Sequence, residues 1–102
     1  MDMNEMMQQA QRMQMELARA QEEIQELSYT ATSGGGMVEV TALGSGEIES
    51  IVINPEAVDP DDVEMLQDMV LVAVNEALRG VAQAGEARMA SVTGGLNIPG
   101  LF

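Results

Sequence analysis

The chain has 102 residues, and its seventeen acidic side chains face only four Arg and no Lys, a formal charge of −13. A field of that sign repels nucleic acid and anionic lipid at long range, so contact with DNA would need a local cluster of the few cations. With no Cys and no His there is no thiolate, no imidazole base and no usual zinc ligand set, so neither an enzyme, a metal site nor a cofactor is expected.

Residues 2–27 carry a heptad seam. Met3, Met6, Ala10, Met13, Leu17, Ala20, Ile24 and Leu27 follow steps of three and four, which predicts a long helix with a narrow apolar face and Gln- and Glu-rich flanks. The start lacks the basic region and apolar stretch of a signal peptide. No run approaches the ~20 apolar residues of a membrane span. The expectation is a cytoplasmic protein without a membrane partner.

Ser28 to Ser33 is strand-like in its Thr and Tyr content, and Gly34, Gly35 and Gly36 then turn the chain. A phosphate-binding loop is excluded there by the missing Lys and the missing strand–GxxxxGK–helix context. From Met37 the pattern has period two, with Val38, Val40 and Ala42 alternating with Glu39 and Thr41. Gly44-Ser45-Gly46 forms the next turn, and Ile48 to Ile53 a third strand closed by Asn54-Pro55. Three short strands with Gly-rich turns predict an antiparallel meander over 28–53. Val38, Val40, Ile51 and Ile53 are its expected apolar face. The four carboxylates between Asn54 and Asp62 lack the ligand spacing of a calcium loop.

A second helix is expected over 60–89, with Asp59 as N-cap, Pro60 in the first position and Asp61, Asp62 and Glu64 at the positive end of the dipole. Gly80 and Gly85 each cost a helix interior up to roughly 1 kcal/mol relative to Ala, so a break or bend is expected near them. Val63, Leu66, Val70, Ala73, Ala77, Val81 and Ala84 form one apolar stripe, widened by Met65, Met69, Val72 and Val74. That arc exceeds what a single small sheet needs, and the excess points to a second copy of the chain. The expected dimer interface is Val70, Ala73, Val74, Ala77 and Val81. The tail, 91–102, has no charged side chain; Gly94-Gly95 reads as a helix stop, and Ile98, Leu101 and Phe102 are expected to dock. The whole, 1–102, reads as one α+β domain whose core, with one Phe, one Tyr and no Trp, is modest.

Several blocks carry a resemblance. Gln9-Ala10-Gln11, Gln21-Glu22-Glu23-Ile24, Gly34 to Val40, Ile51-Val52-Ile53-Asn54-Pro55 and Met89-Ala90-Ser91-Val92-Thr93-Gly94-Gly95-Leu96 resemble, in order and spacing, the YbaB/EbfC family of bacterial nucleoid-associated proteins. The resemblance implies a tweezer-like homodimer, with sheets and second helices at the centre and the first helices projecting as arms. It also implies binding of double-stranded DNA with little sequence demand, a change in DNA shape, and roles in nucleoid organisation and gene regulation.

The family's DNA contacts are placed on the first helix and the C-terminal segment, through basic and polar side chains. Here Arg19 stands where Lys is common and Arg88 lies beside the C-terminal block, whereas Glu16, Glu39 and Glu49 replace basic residues of relatives. The candidate DNA contacts are Arg12, Arg19, Arg79 and Arg88, with Gln9 and Gln11 assisting. The competing reading of Arg12 and Arg19 is pairing within the helix, with Glu16 and with Glu22 or Glu23. A competing function is a protein-interaction or chaperone-like scaffold, using the Met-rich helix and acidic surface to meet a protein partner in DNA replication or repair.

Overall fold

The computed structural model describes residues 2–94. The expected docking of Ile98, Leu101 and Phe102 concerns residues outside that range. The order is α1 (Met3–Glu26), β1 (Ser28–Ser33), β2 (Val38–Leu43), β3 (Ile48–Ile53), a 3-10 turn (Pro55–Ala57) and α2 (Val63–Gly94). The result is elongated, with extents of 73 × 24 × 15 Å.

Asp2 caps α1, its Oδ1 accepting the Glu5 amide at 2.7 Å. The seam is used unevenly along the helix. Ala20 is fully buried and Met13, Leu17, Ile24 and Leu27 are half-buried, whereas Met3, Met6 and Ala10 are exposed. The C-terminal half of α1 therefore docks on the domain, and its first turns form an arm with an apolar stripe in the open.

The three strands form one antiparallel sheet in the order β1-β2-β3. The β1–β2 turn has Gly34, Gly35 and Gly36 at φ of 61°, 69° and 92°, a left-handed run that side chains would resist. Cross-strand partners share a face, so Tyr29, Ala31 and Ser33 line up with Ala42, Val40 and Val38. On the other side of β2, Val38 pairs with Ile53 and Val40 with Ile51, and a bulge at Thr41/Ala42 keeps Ile48 opposite Ala42. The reverse face carries Glu39, Val52 and the Thr30–Thr41 hydroxyl pair at 2.7 Å.

The core is Val38, Val40 and Ala42 of β2 against Ala73, Ala77 and Val81 of α2. The helix lies across β1 and β2 and makes little contact with β3. Ile51 and Ile53 belong to the expected apolar face, but α2 does not cover them; they remain 46% and 36% exposed.

Both ends of α2 differ from the sequence expectation. Asp59 accepts the Asp61 amide at 2.9 Å and so shapes a turn containing Pro60, while Asp62 caps the helix by accepting the Met65 amide at 3.2 Å. The helix then runs unbroken through Gly80 and Gly85 to Gly94, so the first residues of the expected tail are helical. The glycines are retained for closeness. A Cβ on Gly80 would fall inside the Tyr29 ring, and one on Gly85 would meet Cγ2 of Ile24 at 3.1 Å.

Candidate nucleic-acid interface

The four guanidiniums have different surroundings. Arg12 and Arg19 are exposed on α1, and neither lies within 4.0 Å of a carboxylate among the described residues. The intrahelical pairs with Glu16, Glu22 and Glu23 are therefore not made. Seven residues separate the two, close to two full turns, so they project from one side of the arm, well round from the Met seam. Gln9, three residues before Arg12, shares its side; Gln11 points about 100° away from Arg12.

Arg88 is held. Its Nε and Nη2 both donate to Oε2 of Glu23, each at 2.8 Å, and so tie α2 to α1. The two helices run antiparallel there, with Ile24 against Gly85 and Glu23 against Arg88. The cleft between them, at the base of the arm, is lined by Glu16, Arg19, Arg88, Ser91 and Val92. Two of the candidate cations thus converge on one concave site. The partnership of residues 23 and 88 has no local sequence signal, since 65 positions separate them.

Arg79 stands apart. Nine residues before Arg88 on a straight helix, it points to the opposite side of α2, and its neighbour is Glu76 at 3.7 Å, an exposed pair of little energetic weight.

The expected dimer residues also divide. Ala73, Ala77 and Val81 are enclosed by their own sheet, at 0%, 0% and 4% exposure, and so have no surface left for a second chain. Val70 and Val74 instead line an open apolar groove with Ile53, Leu66, Gln67 and Leu71. Leu66 and Leu71 were absent from the sequence expectation. Which arc of a nearly all-apolar helix meets the sheet depends on the sheet's position, and periodicity does not encode it.

Among the described residues there is no cluster of three or more His, Cys, Asp or Glu suited to a metal ion. No described helix is long and apolar enough to cross a membrane.

A three-stranded antiparallel meander, roofed by one long helix and extended by another that leaves the body as an arm, defines an α+β class of small two-helix proteins. The chain matches the YbaB/EbfC DNA-binding family over residues 1–96 and belongs to that family. It is 54% identical over 101 residues to a nucleoid-associated protein of Thermoanaerobacter pseudethanolicus, covering 99% of this chain and 91% of that one. A nucleoid-associated protein of Desulforamulus reducens is 55% identical, with 99% and 96% covered. The fold also matches the crystal structure of an uncharacterized Helicobacter pylori protein at a TM-score of 0.66 and 27% identity, over 95% of this chain and 99% of that one.

Proposed function

We propose that the protein is a nucleoid-associated, homodimeric DNA-binding protein that contacts backbone phosphates with little sequence demand and alters the shape of the duplex. Its roles are then in nucleoid organisation and gene regulation, within the cytoplasm at the nucleoid. The family it belongs to is a DNA-binding family and not an enzyme family.

The observation that carries this reading is the arrangement of Arg12 and Arg19 on one side of the arm, without carboxylate partners among the described residues, with Arg88 at its base. Against a formal charge of −13 per chain, a duplex is attracted only where cations are concentrated and stand clear of the acidic surface. An arm that extends beyond the domain meets that condition. Phosphate contacts by Arg and polar side chains such as Gln9 carry no base information, which fits binding with little sequence preference.

The second copy is supported by the groove of Ile53, Leu66, Val70, Leu71 and Val74, which continues onto exposed Ile51 and stays open in the single chain. Pairing along this groove buries apolar area that one small sheet leaves wet. Two arms then present Arg12, Arg19 and Arg88 twice. Six phosphate contacts correspond to a slope of log K against log salt of about −5. A duplex titration from low to moderate salt tests the reading: a slope near that value supports it, and no binding at low salt contradicts it.

The exposed half of the α1 seam favours a second reading, a protein-interaction scaffold. Met3 is 77% exposed and Met6 57% exposed on a stripe that no described residue covers. A replication or repair protein that binds stoichiometrically, and loses binding with Met6→Glu, would support it.

A further inference from the structure

We propose that the cleft at the base of the arm is a seat for a single DNA backbone phosphate, with Arg19 and Arg88 as its cations and Glu23, an acidic residue, as the positioning group on which the site depends. This inference rests on the DNA-binding reading above and goes beyond it. It gives a carboxylate a positive part in binding a polyanion.

The geometry is specific. Among the four Arg, Arg88 alone has two guanidinium nitrogens fixed, Nε and Nη2, both on the same Glu23 oxygen at 2.8 Å. Those bonds leave Nη1 unengaged and hold the guanidinium plane in one orientation beside the cleft that Arg19 and Ser91 also line. A free Arg surrenders about 2 kcal/mol of rotamer freedom when it settles on a phosphate, and a planar fork already held in place surrenders less. The Arg88 and Glu23 side chains are 37% and 44% exposed, so water and a phosphate oxygen can both reach the free edge. The same carboxylate also joins the arm to the body, so Arg19 and Arg88 keep a fixed separation across the cleft. Ser91 adds a hydroxyl donor of the kind that complements a phosphodiester oxygen.

Two accounts of Glu23 predict opposite signs. If Glu23 only adds negative charge near the ligand, its removal should tighten DNA binding, as removal of an acidic residue beside a polyanion ordinarily does. If it positions Arg88, its removal should weaken binding even though the protein becomes less negative.

The experiment is a duplex titration of the full chain at several salt concentrations, comparing the unaltered protein with Glu23→Ala, Arg88→Ala and the double variant, with thermal melting of each. The expected result is that Glu23→Ala weakens binding about fivefold at low salt and makes the log K–log salt slope shallower by about one, the signature of one lost phosphate contact. The double variant should bind no worse than Arg88→Ala alone, because Glu23 acts through Arg88. Glu23→Gln, which keeps an acceptor oxygen for the Arg88 fork, should recover part of the loss and covers the case in which Glu23→Ala melts early. Equal or tighter binding by Glu23→Ala, or losses that add in the double variant, overturns the positioning role and leaves the DNA-binding reading intact. Absence of binding by the unaltered protein overturns both.

Discussion

The ring of Tyr29 rests directly on the backbone of Gly80: a Cβ at residue 80 would lie within contact radius of the Cδ1, Cε1 and Cζ atoms of that ring. Tyr29 is the only Tyr of the chain and lies on the helix-facing side of β1, so this contact sets how closely the first strand approaches α2. Gly80→Ala gains up to about 1 kcal/mol of helix propensity but overpacks a rigid ring, which typically costs about 1–3 kcal/mol. A net loss of stability follows, read as a lower melting temperature. Gly85→Ala is the contrasting case. Its Cβ meets only the mobile Cγ2 end of Ile24 at 3.1 Å, so the propensity gain should leave the melting temperature equal or higher.

Ser33 at the end of β1 donates its hydroxyl to the Met69 carbonyl of α2 at 2.6 Å in a part-buried setting. Ser33→Ala removes this link between strand and helix without changing the turn glycines. The expected loss is about 1 kcal/mol by urea unfolding, with an unchanged m-value.

Leu71 is 59% exposed in the single chain yet lines the groove assigned to the second copy. Leu71→Glu should leave the circular dichroism spectrum of the folded subunit intact and weaken self-association at least about tenfold, a change of ~1.4 kcal/mol. Equilibrium sedimentation over a concentration series measures it.

Charge reversals should rank by position. Arg19→Glu removes a cation from both the arm and the cleft, and should weaken duplex binding at low salt about tenfold or more. Arg79→Glu, on the far side of α2 and already beside Glu76, should change it by less than about twofold once salt screens the long-range field. An equal loss from both variants would mean that α2 meets DNA on the Arg79 side.

Much of this architecture is legible in the chain because its signals are periodic or sterically specific. The α1 seam, the alternation from Val38 to Ala42 and the glycine turns each mark one element. The start of α2 was harder to read because Asp59, Asp61 and Asp62 are equally good caps on paper. Only the turn that Asp59 makes with the Asp61 amide hands the cap to Asp62. Gly80 and Gly85 read as helix breaks when propensity alone is weighed, since the Tyr29 ring and Ile24 that need the space come from distant segments. For the same reason the small residues Ala73 and Ala77 read as an opening for another chain, whereas β2 of the same chain fills it. In the candidate site, the heptad spacing of Arg12 and Arg19 was visible locally. The Glu23–Arg88 tie was not, because it exists only after α2 folds back along α1.

The account depends most on two chains sharing the open apolar groove, since that pairing doubles the arms and their cations. Sedimentation equilibrium of the unaltered protein at micromolar concentration tests it most directly. The account predicts a species of twice the 10.9 kDa chain mass. A well-folded single chain across that concentration range would contradict it.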